Sequence, residues 1–234
     1  MLLALPQMVA AQQAERPPER TVNVQATATV EREPDRAVIL LAVESTGETA
    51  RAAADANATR MDAVIAAIRR AGIPEDKIRT VSYNLIPQYA YPNRDNPNVE
   101  PRITGYRAIN MVQVTIDEVR RVGAVIDAAL QAGSNRVAGL NFELKDPESA
   151  RREALRLAVA RARADAEAVA TAAGQVLGPP LTINTSEWQP VPKYTPEMAM
   201  ARGGDMAQAP PTPVQPGTVS VSAMVMITYR LESR

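Results

Sequence analysis

The stretch from Asp146 to Ala173 reads as one long helix whose inward stripe would be Leu155, Ala158, Val159, Ala162, Ala166, Val169 and Ala173, with Gly174 as its stop. A stripe dominated by alanine packs well only where another backbone comes close, so the chain must supply a sheet or a second helix for it to lie on. Alternation supplies the sheet. Val22, Val24, Ala26, Ala28 and Val30 alternate with polar residues, and so do Val219, Val221, Ala223, Val225, Ile227 and Tyr229 near the other end. Each pattern has the two-residue period of a strand with one polar face.

Between these lie other segments of both kinds. Arg36 to Ser45 contains the run AVILLAV, apolar on both faces, and is expected as a central strand covered on each side. The Glu33-Pro34-Asp35 turn before it predicts that the first two strands form a hairpin. Thr49 to Ala71 takes helical spacing, with Ala50, Ala54, Met61, Val64, Ile65 and Ile68 inward and a stop at Gly72. Ile78 to Leu85 and Tyr106 to Ile116 return to period two and predict a second hairpin around a long Pro- and Asn-rich loop, Pro87 to Arg102. Asp117 is expected to cap a helix running to Ala132, and a short strand follows at Arg136 to Leu144. Glu148 and Arg152 are placed as an i,i+4 ion pair on the long helix.

After a strand at Leu181 to Trp188, residues 189–216 hold seven prolines together with Met198, Met200 and Met206. The predicted order is ββαββαβαββ, an α+β fold with largely antiparallel or mixed sheets. Residues 20–234 are expected to form one domain, with the Pro/Met-rich 189–216 loop inside it and a flexible segment at 1–19. Leu2 to Ala11 read as a clipped signal peptide, with Val9 and Ala11 as the small residues of a cleavage site before Gln12.

Composition removes several functions. The 234 residues carry 26 basic and 26 acidic side chains, which leaves no basic footprint for nucleic acid. With no cysteine and no histidine, disulfides, thiolate nucleophiles, Ser-His-Asp triads and imidazole or thiolate metal sites are all impossible. The longest apolar run, seven residues at 37–43, is far short of the roughly 20 needed to span a bilayer as a helix. No cofactor is called for. GxGxxG, GxxxxGK[ST] and GxSxG motifs are absent in their structural contexts.

Three sets of residues are candidates for function. Tyr83, Tyr89, Tyr91 and Tyr106 are half of the eight aromatic residues and fall within 24 positions around the long hairpin loop, where amphipathic rings suit a subunit or ligand contact. With Trp188 they could instead line a pocket under the two long loops. Met198, Met200 and Met206 form an oxidisable loop, or one whose soft thioethers favour Cu(I), or a plain flexible segment. Carboxylate catalysis would have to use a pair such as Glu44 and Glu48 or Asp146 and Glu148, whose ordinary explanations are a turn and a helix start.

Five segments in order resemble the SIMPL-domain family: Gly72 to Tyr91 (GIPEDKIRTVSYNLIPQYAY), Ile103 to Ile116 (ITGYRAINMVQVTI), Val125 to Leu144, Ala150 to Gly174 and Pro216 to Leu231. The resemblance spans about residues 20–231. It implies an exported, periplasmic or outer-membrane-associated α+β protein, assembly in some members into a ring-like or channel-like homo-oligomer, and an association with envelope or oxidative stress. It supplies no catalytic motif. The resulting expectation is a non-catalytic, self-associating envelope protein, with a periplasmic ligand-binding module and a carboxylate enzyme as alternatives.

Overall fold

The structure, a computed structural model, describes residues 19–90, 102–185, 191–193 and 212–233. The elements are β1 (Thr21–Arg32), β2 (Arg36–Gly47), α1 (Ala50–Arg70), β3 (Ile78–Ala90), β4 (Arg102–Ile116), α2 (Val122–Gln131), β5 (Arg136–Glu143), α3 (Pro147–Ala172), β6 (Gln175–Thr185), β7 (Val191–Lys193) and β8 (Thr218–Ser233). The fold is α+β, with short 3-10 turns at Glu75–Lys77 and Val119–Arg121. The three-residue β7 falls inside the stretch expected to be a loop and adds one strand to the predicted order. Two sheets are present, one ordered β1-β8-β6 with β7 also on β8, the other β3-β4-β2-β5.

β1 and β2 do not form the expected hairpin; they belong to different sheets. The reason lies in β2, which is flanked by β4 and β5 and so has no free edge for β1. Its Ala37, Ile39, Leu41 and Val43 are fully buried, whereas Val38 and Leu40 on the other face are only half covered. The second expected hairpin, β3 with β4, is present and antiparallel.

The chain divides into two compact units. The first gathers residues up to Ala28, Leu155–Glu187 and Ala223–Arg234. Within it Ala158, Ala162 and Ala166 pack on Val22, Ala26, Ala28, Val225, Ile227 and Tyr229. The alanines pack as expected but the stripe is rotated: Ala150, Ala154, Ala158, Ala162, Ala166 and Ala170 are buried, while Val159, Val169 and Ala173 are exposed. Leu155 packs at the margin of this cluster as expected, while Val159 and Val169 are turned outward. α3 begins at an Asp146 cap, whose Oδ1 accepts the Ser149 N–H at 3.0 Å, and Gly174 ends it at φ 71°. Glu148 pairs with Arg151 rather than Arg152, which turns back to Asp146.

The second unit, Thr29–Ala154 with Trp188–Ser222, holds the larger core. β2 and β4 contribute Ile39, Leu41, Val43, Val112, Val114 and Ile116; α1 contributes Met61, Val64 and Ile68; α2 contributes Val122, Val125 and Ile126. Each such aliphatic side chain contributes about 1.5–3 kcal/mol by leaving water. Thr49 caps α1, accepting the Ala52 N–H at 3.1 Å. The buried face of α1 differs from the predicted stripe, for Ala50 and Ala54 are half exposed and a polar residue, Asn57, is fully buried. Its Nδ2 donates to Val43 O at 2.8 Å and Ala108 O at 3.1 Å, tying the helix to adjacent strands. At the helix start the backbones nearly touch: a Cβ at Gly47 would lie 2.6 Å from the Ala53 nitrogen, so only glycine fits.

Asp117 does not cap α2. It ends up as an ion hub instead, 3.2 Å from Arg36 Nε, 3.0 Å from Lys77 Nζ and 4.0 Å from Lys145 Nζ, which joins the ends of β2, β3, β4 and β5. The Lys77 ammonium hydrogen-bonded to Asp117 holds its carboxyl below the usual value of 3.8, with Arg36 and Lys145 adding to this and desolvation opposing it. A carboxyl whose folded pKa is depressed stabilises the fold above its unfolded pKa and loses that contribution as pH falls through the folded value. The hub is over a third exposed to water, so the contribution is about 1 kcal/mol after screening. Asp117→Asn should therefore lower stability by that amount near neutrality and shrink the acid-induced loss below the ordinary carboxylate range, as read by urea unfolding against pH.

Candidate functional site

Strand pairing decides which tyrosines meet. On β3 the register runs Tyr83 opposite Asn110, Leu85 opposite Ala108, Pro87 opposite Tyr106 and Tyr89 opposite Ile103. Side chains two apart share a face, and directly paired residues share it across the strands. Tyr83, Leu85, Pro87, Tyr89, Ile103 and Tyr106 therefore lie on one face of the hairpin. Irregularities at Val81 and Thr104 fix this arrangement, since each shifts the register by one residue.

This is the same face that β4 turns toward the core with Ala108, Val112 and Val114, yet along β3 much of it is exposed. Tyr83 is 49% exposed, Leu85 38%, Tyr89 46% and Ile103 47%, while Tyr106 is half-buried. On the opposite face Ile86 is also exposed. β3 is an edge strand, so its outer backbone groups carry no strand partner among the described residues. From Ile78 to Ile86 no proline interrupts that edge, although Pro87 follows within β3; β6 carries Pro179 and Pro180, neither of which can donate an N–H.

Three of the four candidate tyrosines are thus brought onto one surface. Tyr91 and Trp188 lie outside the described residues, as do Met198, Met200 and Met206 and the segment before residue 19. The carboxylate pairs have ionic partners: Glu44 meets Arg107 at 3.2 Å, and Asp146 meets Arg152 at 3.9 Å while Glu148 meets Arg151 at 3.8 Å. Glu48 is exposed. Among the described residues, no group of three or more acidic side chains is placed to hold a metal ion, and no helix is long and apolar enough to cross a membrane. Leu85 follows Tyr83 on one face, as alternation in the sequence indicates; Ile103 joins that face only through the irregularity at Thr104, which alternation does not announce.

Comparison with known families finds the SIMPL model, described as a protein of unknown function (DUF541), matching residues 22–229. The chain belongs to the SIMPL family. Among SIMPL relatives, the 26 kDa periplasmic immunogenic protein of Brucella melitensis is 33% identical over 204 residues, covering 85% of this chain and 80% of the relative. The uncharacterized protein YggE of Edwardsiella ictaluri is 29% identical over 184 residues, covering 78% and 75%, and YggE of Escherichia coli K12 is 26% identical over 186 residues, covering 79% and 74%. The SIMPL match embraces both units and the whole tyrosine face.

Proposed function

We propose that this SIMPL protein is a non-catalytic component of the periplasm that self-associates through the β3–β4 hairpin and thereby supports envelope integrity and tolerance of oxidative stress. The observation that carries the reading is the exposed row of Tyr83, Leu85, Tyr89 and Ile103 beside a strand edge free of proline from Ile78 to Ile86. Contiguous exposed apolar surface of this kind marks an interaction site, and tyrosine is among the residues enriched at interface centres. A second copy can extend the sheet by pairing along β3, which sets its own apolar row beside the first on one continuous face. The periplasmic name of the Brucella relatives supports the location.

The test is absolute molar mass by light scattering after size exclusion, over a dilution series. The chain should run as a discrete multimer. Tyr83→Glu and Tyr89→Glu should each weaken association at least tenfold, consistent with hot-spot losses of about 2 kcal/mol, while circular dichroism melts stay unchanged. A monomer at all concentrations, or glutamate variants of undiminished mass, would refute this interface.

A further inference from the structure

β2 outruns one of its two partners. β5 pairs with it from Glu143 opposite Arg36 to Arg136 opposite Ala42, whereas β4 follows it as far as Gly47. Beyond Ala42 the outer edge of β2 is met by a turn rather than a strand. Gly133, at φ 113°, makes that turn possible. Ser134 Oγ and the Asn135 N–H donate to Ala42 O at 3.0 and 3.2 Å. The Asn135 side chain then clamps Glu44, accepting its N–H at 2.9 Å and donating to its carbonyl at 2.8 Å.

In a strand, peptide groups two residues apart point to the same side. Those of Thr46 therefore follow Glu44 toward the edge that β5 leaves vacant. There a cleft of about 380 Å³ opens, lined by Glu44, Ser45, Thr46, Arg60, Asn135 and Arg136. Its charges do not cancel internally. The Glu44 carboxylate is taken by Arg107 at 3.2 Å, and the Arg107 Nε is itself covered and unpaired. Arg60 and Arg136 have no ion-pair or hydrogen-bond partner among the described residues. The guanidiniums of Arg60 and Arg136, beside a Glu44 carboxylate already paired with Arg107, leave an excess of positive charge on a frame stitched by hydrogen bonds.

We propose that this cleft is an oxyanion site for a phosphate group. Guanidinium forks donate paired N–H groups, and two forks carried by different elements, α1 and β5, suit an anion with more than two oxygens better than a planar carboxylate. The Thr46 hydroxyl and N–H supply further donors at the strand end. The phosphate is that of a small soluble compound or of a lipid headgroup, since the cleft recognises only the oxyanion.

The experiment titrates the full chain with potassium phosphate by calorimetry and thermal shift, with potassium chloride at matched ionic strength as control. Saturable binding is expected, with a melting midpoint that rises with phosphate by mass action. The Arg60→Gln/Arg136→Gln double variant should lose at least about tenfold in affinity, since both charge-assisted forks are gone, yet melt with the wild type in chloride. If that variant melts early, Thr46→Val must still weaken phosphate binding on a fold of unchanged melting point. Arg79→Gln/Arg156→Gln, which removes two cations outside the cleft, should leave the affinity intact. Sedimentation with phosphatidic acid vesicles, reversed by inorganic phosphate, would assign a lipid source; phosphate binding without vesicle capture would assign a soluble one. Absence of saturable phosphate binding, unaltered binding in the Arg60/Arg136 variant, or equal loss in the Arg79/Arg156 variant would overturn the proposal.

Discussion

Ala162→Leu should destabilise the protein by about 3 kcal/mol, at the upper end of the usual overpacking cost, because nothing around this fully buried methyl can yield. Ala162 lies in a buried cluster that includes Ala26, Ala28, Val225 and Ile227, with the α3 backbone behind it. At roughly 2–4 °C per kcal/mol for a chain of this size, the thermal midpoint should fall by about 10 °C. Ala164→Leu, two residues along on the exposed side, should change stability by no more than about 0.5 kcal/mol. Equal midpoints for the two variants in differential scanning calorimetry would show that the helix can lift from the sheet without cost, contrary to the packing described. The ladder explains the contrast: alanine recurs at every fourth position from 150 to 170, and each such step turns about 40° around a 3.6-residue helix. The close contact thus winds around α3, and no single side of it tolerates enlargement along its whole length.

Asn57→Asp should cost about 4 kcal/mol at neutral pH, in the range for an uncompensated buried charge. The change is isosteric. It replaces the Nδ2 that donates to Val43 O and Ala108 O with an oxygen that repels both. Truncation to alanine removes the same bonds without adding charge and should cost about 2 kcal/mol. The aspartate variant also has a pH signature. Burial beside two carbonyls raises the folded pKa of the new carboxyl above its unfolded value, so the variant is least impaired in acid and loses stability as pH rises through the folded pKa. This slope is opposite to that of Asp117, whose contribution disappears on acidification. Urea unfolding of the variant across acid and neutral pH separates the two, and a loss independent of pH would show that the residue 57 carboxylate reaches water.

Much of the architecture could be read from period alone. α1, α3, β4 and β8 lie within a few residues of their expected limits because their apolar spacing persists over many turns or alternations. The strand partners of β1 could not be read, since a short polar turn such as Glu33-Pro34-Asp35 serves equally to fold a chain back on itself and to carry it from one sheet to another. Asp117 was misplaced, and the role of Asn57 was not read at all, for a shared reason: only long-range partners reveal what a polar side chain in a local pattern does. The tyrosine cluster was legible by counting. That Tyr83, Tyr89 and Tyr106 share one face depends on where the strand irregularities fall, which side-chain alternation does not announce. Arg60 and Arg136 gave no local signal at all, because they meet only where β5 stops short of β2.

The sheet that begins with β1 is completed by β8, and the Thr228 hydroxyl on β8 meets Asn23 on β1 across 205 positions of sequence. An emerging chain that has delivered β1, α1 and most of α3 still lacks the strand on which β1 and the alanine ladder rest. Formation of this sheet is deferred until the last residues of β8 are free, and its long-range closure is intrinsically slow. The buried residues of the larger core, from Ala37 to Phe142, are all delivered earlier, so the two units reach completion at different stages of synthesis.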